Sequence, residues 1–176
     1  MRPHRGSHGG FSLVEVLAAV GIFAFAVTVI LALLPALTRQ AAATADTLTA
    51  LRLPDPLRIE LRRVAIAGGF DALAAQTKAM EEPLPATIAL AASREAARVH
   101  TLDYLPPASS DQIPEDERFF LLEAWSFGAA PLAFDSAGAG LALHVRVSWP
   151  FRVRGSAAAT PLGDREYVTF NLALNR

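Results

Sequence analysis

The stretch Phe11–Thr38 reads FSLVEVLAAVGIFAFAVTVILALLPALT, and one run within it decides the architecture. From Val16 to Thr38 there are 23 consecutive residues without a charge. As a helix, such a run is about 35 Å long, enough to cross a hydrocarbon layer of about 30 Å. Apolar residues make up 52% of the chain, slightly more than a soluble domain carries, and much of the excess sits here. The sole charge in the apolar segment is Glu15.

Upstream lies MRPHRGSHGG, short, basic through Arg2 and Arg5, and ending in two glycines. A secretory signal peptide needs an apolar region of roughly 7–15 residues followed by a small-residue cleavage site. Ala41-Ala42-Ala43 would supply such a site, but the run before it is too long. An ordinary signal anchor fits the length and leaves Glu15 without a use. A carboxylate at the centre of a membrane helix costs about 2.5–3.5 kcal/mol, and less near the helix start. A cut after Gly10 would give Phe11 a free α-amine one helical turn from Glu15. In a bundle of such helices, the amine and the carboxylate of neighbouring copies neutralise each other in low dielectric.

Gly10-Phe11-Ser12-Leu13-Val14-Glu15-Val16-Leu17 resembles the processing signal of type IV prepilins and pseudopilins. That family's pattern is a basic leader ending in Gly, an aromatic residue, a short apolar run, and Glu as the fifth mature residue. The resemblance covers about 28 residues, Phe11 to Thr38. It implies that a prepilin peptidase cuts after Gly10 and methylates the amine of Phe11, and that Glu15 serves assembly. It implies residues 1–10 as a cytoplasmic leader, 11–53 as the transmembrane and assembly helix, and 54–176 as a periplasmic domain. The implied partners are the peptidase, other pilin or pseudopilin subunits, an inner-membrane assembly platform, and membrane lipid before assembly. The implied location is the inner membrane, single-pass, with the N-terminus cytoplasmic, and then the filament. Leu17–Phe25 looks more like minor pseudopilins of type II secretion than like adhesive major pilins. Leu33-Leu34-Pro35 and Val147-Ser148-Trp149-Pro150 also resemble the Verru_Chthon cassette pilin-like proteins. Pro35 has two readings: a kink where the helix of such proteins loosens during assembly, or the end of the membrane segment. Gly21 either permits close helix packing or is incidental.

Further along, residues 39–53 continue a helical pattern, with Leu48 and Leu51 on one face together with Ala41 and Ala45. Pro54-Asp55-Pro56 is expected to interrupt it. A second helix is expected over Leu57–Ala67, stopped by Gly68-Gly69, and a short third over Phe70–Met80. From Pro83 the texture predicts strands near Thr87–Ala91, Arg98–Tyr104, Phe119–Phe127, Leu141–Trp149 and Tyr167–Leu174. The fourth alternates most clearly, with Leu141, Leu143, Val145, Val147 and Trp149 on one side. The expected fold is α+β: a long, kinked apolar helix whose C-terminal half packs on a small antiparallel meander.

Signs of chemistry are few. The net charge of −1 gives no basic excess for nucleic acid. The absence of cysteine excludes disulfides, thiolate metal sites, cysteine nucleophiles and a lipoprotein anchor. His4 and His8 lie in the leader, and His100 and His144 fall singly on strands. No nucleophile elbow, phosphate loop or dinucleotide fingerprint is present. The acidic stretch Asp111–Glu117 is the one cation candidate, and a solvated acidic loop is the simpler reading. Trp125 and Trp149 are expected in the core or on the sheet face; an exposed Trp149 would mark a subunit contact. The sequence thus points to a structural assembly subunit, not an enzyme, with no metal or cofactor. The alternatives are a membrane-anchored periplasmic binding or enzyme domain that never polymerises, and a secreted protein cut near Ala43.

Overall fold

A computed structural model describes residues 12–77, 88–102, 113–138, 140–153, 155–156 and 158–176. The chain forms two compact units, one ending at Thr44 and one spanning Ala45–Arg176. It opens with one long bent helix, α1 (Leu13–Ala50), followed by α2 (Pro54–Gly68) and α3 (Phe70–Gln76). Five strands follow: β1 (Ile88–Ala92), β2 (Val99–Thr101), β3 (Phe120–Ser126), β4 (Gly140–Trp149) and β5 (Glu166–Asn175). The class is α+β.

In the first unit, every described residue from Ser12 to Ala42 is exposed. Phe23 and Phe25 keep 70% and 72% of their surface, so no apolar stripe is turned inward. A helix apolar on all sides suits lipid or a bundle of like helices, not water. It is long and apolar enough to cross a membrane, which is compatible with single-pass anchoring. The hydroxyls within it are satisfied locally. Thr28 Oγ1 donates to the Ala24 carbonyl at 2.8 Å, and Thr38 Oγ1 to the carbonyls of Leu34 and Pro35 at 3.1 and 3.0 Å. Helical structure continues through Pro35, whose missing N–H leaves the Leu31 carbonyl without its usual donor.

The second unit begins at Ala45, inside α1. Its helical side is built on Ala50, Leu53, Leu57 and Leu61, each 0% exposed. The spacing of three, four and four keeps them on one line through the turn at residues 51–53. This corrects two expectations. The apolar face expected on Leu48 and Leu51 is outward, at 54% and 57% exposure, because small Ala50 is the residue that admits close packing. Pro54 and Pro56 begin α2 instead of separating two helices, since a proline in the first turn forfeits no intrahelical bond. The last turns of α1 are fixed by a bidentate ion pair: Arg94 Nε and Nη2 donate to Asp46 Oδ1 and Oδ2 at 2.9 and 2.8 Å. That hydrogen bonding raises the Arg94 pKa further above its ordinary value.

The sheet is antiparallel throughout, in the order β2-β1-β3-β4-β5. It departs from a plain meander at one place. β1, not β2, pairs with β3, so the chain leaving β2 passes to the far side of β1. The side chains explain this. β1 reads IALAA and is buried at four of its five positions, which suits an interior strand. β2 is three residues, VHT, with only Val99 buried, which suits an edge. The expected strand over Arg98–Tyr104 is therefore shorter, and residues 103 and 104 lie outside the described residues. The third helix ends at Gln76, and Met80 lies outside them as well.

One face of the sheet carries Leu90, Leu122, Leu143, Val145, Val147, Leu172 and Leu174 against α2, α3 and the end of α1. The covering helices are therefore chiefly α2 and α3, not the C-terminal half of α1, which contributes Ala50. Trp149 belongs to this core at 3% exposure, edge-on to Phe120 at 5.7 Å, so it is not a surface contact. Substituting Leu61 by Ala, studied in the full chain in detergent, is expected to cost about 2–5 kcal/mol in denaturant titration. Ile59→Ala, two positions away on the exposed side of α2, is expected to stay within about 0.5 kcal/mol.

Candidate functional site

The candidate site begins at the first turn of α1. Ser12 is the residue before the helix, and Glu15 is its third position. The Ser12 backbone N–H donates to Glu15 Oε2 at 3.0 Å, and the Ser12 hydroxyl donates to the same oxygen at 3.2 Å. In return, the Glu15 N–H donates to Ser12 Oγ at 3.2 Å. This is a reciprocal capping box, which satisfies two donors that the helix start would otherwise leave open. The carboxylate also sits where the helix dipole favours negative charge. Sequence reasoning overlooked Ser12, although the Ser-x-x-Glu spacing before an apolar run is the recognised signal for this arrangement.

The other expected site residues are not gathered here. Gly10 and Phe11 lie outside the described residues. Pro35 is about 30 Å further along α1 by helical rise. At Gly21, a Cβ would meet nothing within 4 Å, so its surface is open on the single chain. Glu15 and Pro35 are thus strung along one helix.

The sheet's second face is the other place where polar groups gather. Glu123 and Arg146 are direct cross-strand partners, with Arg146 Nε and Nη2 donating to Glu123 Oε2 at 2.9 and 2.7 Å. The Arg146 guanidinium lies 5.2 Å from the centre of the Trp125 ring, and His144 stacks on the same ring at 6.3 Å. His144 Nδ1 is 3.0 Å from Asn171 Oδ1. Burial lowers the pKa of the nearby Arg165, a shift opposed by the charge of Glu123. Trp125 and Ser148 are buried here, yet among the described residues Trp125 Nε1 and Ser148 Oγ have no hydrogen-bond partner. The second face of β4 is thus half-buried along most of its length and buried only at Ser148, which lies between Leu121 and Tyr167 in register. His100 is separate, with its Nε2 buried and, among the described residues, unpartnered. The set reads as an ion pair sealed by an aromatic ring.

Of the acidic stretch, Asp111 and Gln112 lie outside the described residues. Glu115–Glu117 forms a single 3-10 turn. Glu115 is committed to arginine, at 3.1 Å from Arg152 and 4.0 Å from Arg118. Among the described residues, no three His, Asp or Glu side chains converge as a metal site would require. Comparison with protein-family models, with curated proteins and with solved structures finds no match.

Ser12→Ala removes the acceptor of the Glu15 N–H. Hydrogen exchange of the full chain in detergent is expected to show faster exchange in the first turn, corresponding to about 0.5–2 kcal/mol of lost protection. Thr28→Ala should leave that turn unchanged.

Proposed function

We propose that this chain is a structural assembly subunit, a minor pilin or pseudopilin, that a prepilin peptidase processes between Gly10 and Phe11. The observation that carries the reading is α1 itself. It is uncharged from Val16 to Thr38, exposed on every side, and has one carboxylate, Glu15, a turn from the expected cut. Such a helix satisfies lipid before assembly and like helices afterwards. In this reading, the new amine of Phe11 docks against Glu15 of a neighbouring subunit. The peptidase, other subunits and an inner-membrane platform are its partners. The domain from Ala45 onward would lie in the periplasm and then on the filament exterior, with a structural rather than catalytic role.

The capping box favours a second reading on its own evidence. Because Ser12 gives Glu15 a local partner, the carboxylate has a use in a helix that never polymerises. In that case the chain is a single-pass anchor for a periplasmic binding or enzyme domain.

Mass spectrometry of the protein from its native membrane separates the two. An N-methylated Phe11 at the mature terminus supports the assembly subunit, and an intact Met1 supports the anchor. A terminus near Thr44 would instead indicate a secreted protein. In the assembly reading, Glu15→Ala is expected to be cut normally yet to be lost from sheared filament fractions. Uncut Glu15→Ala, or undiminished filament incorporation, would refute that role for the carboxylate.

A further inference from the structure

β5 is the most exposed edge in the sheet, and it carries none of the usual protection. It is a full ten residues long and pairs with β4 in unbroken register from Glu166↔Trp149 to Asn175↔Gly140. Among the described residues, nothing hydrogen-bonds to its outer edge. From Tyr167 to Asn175 it holds no charge, proline or glycine, and β-formers fill its first half. Folded proteins blunt such edges with short strands, lysines, prolines or bulges. The opposite edge does so, since β2 is three residues long. β5 has the features of an edge that is meant to be paired.

We infer that β5 pairs antiparallel with β5 of a second copy of this chain, with Asn171 on the two-fold axis. The strand is self-complementary in that register. Glu166 falls opposite Arg176 and Arg176 opposite Glu166, so each end of the junction brings opposite charges near one another, with Arg176 also held in its own chain by Asp71 Oδ1 and the Ser136 carbonyl, both at 2.6 Å. Val168 meets Leu174 and Phe170 meets Leu172, all on the face that α2 and α3 cover. Tyr167 meets Asn175 and Thr169 meets Ala173, all on the other face and all exposed in the single chain. A slip by one residue would put apolar against polar positions, since side chains alternate between faces. Slips by two would move Glu166 away from Arg176. A two-fold pair uses the same patch twice and closes on itself, so it ends at two copies. Val168 and Phe170 are only half-buried in the single chain, and the pairing gives them the neighbours they lack. The inference does not rest on the filament reading, which concerns α1.

The chain contains no cysteine, so single substitutions report cleanly. In the full chain in detergent, mild oxidation or a short bis-maleimide should link Asn171→Cys to itself. It should do so several-fold faster than Glu95→Cys, an exposed control in the β1–β2 turn that registers association through α1 alone. Thr169→Cys mixed with Ala173→Cys should cross-link more than either does by itself. Adding Asn171→Lys to that mixture sets two like charges on the axis and should remove most of the product, while far-UV circular dichroism stays unchanged. Equal rates for Asn171→Cys and Glu95→Cys, or no gain from mixing, would overturn the pairing.

Discussion

An apolar helix with no dry side governs the rest of this structure. Water penalises α1 along its whole charge-free length, and no part of its own unit turns to cover it. Apart from the Leu31 carbonyl opposite Pro35, its interior backbone groups are satisfied within the helix, as is each described threonine hydroxyl in the charge-free run. The segment is therefore nearly complete as a hydrogen-bonded object and incomplete as a buried one. Whatever covers it must be apolar: lipid, like helices, or both in turn.

The unit from Ala45 is organised differently. Its core depends on a line of residues, Ala50, Leu53, Leu57 and Leu61, that stays straight through a break in the helix. The prolines at 54 and 56 permit this, because they sit where a helix has no backbone bond to lose. The sheet opposite is buried on one face by α2 and α3, and in its middle strands partly on the other face too. The Glu123–Arg146 pair lies in that second face. Burying a charge pair rarely adds much stability over apolar residues, but breaking it would strand a charge. Its evident structural effect is to hold β3 and β4 in one register.

Much of this was legible in the sequence, for physical reasons that can be named. The long helix was plain because lipid-length apolar runs have few other uses. β4 was plain because Leu141 through Trp149 alternate cleanly. The phase of the stripe before Pro54 was misread because Leu48 and Leu51 look more buriable than Ala50, while the packing distance favours the small residue. The exchange of β1 and β2 could not be read from alternation, which gives the faces of a strand but not its neighbours. The capping box is legible as Ser12-x-x-Glu15 before an apolar run, a pattern that the resemblance hides by giving Glu15 another use.

That second explanation sharpens the argument about Glu15. In the single chain the carboxylate is held by Ser12, so any partner in trans competes with a partner in cis. The cis bonds are exposed and local, and bonds of that kind contribute modestly because water replaces them readily. A fixed amine in a helix bundle faces no such replacement, since water is excluded and the attraction grows as the dielectric falls. The same residue can therefore cap a lone helix in the membrane and still prefer a neighbour's amine once helices pack. In the assembly reading proposed above, the capping box would lower the cost of carrying Glu15 in a lone helix without preventing its use between helices. On this view the two readings of Glu15 describe successive states of one residue, and only the existence of a cut amine decides whether the second state is reached.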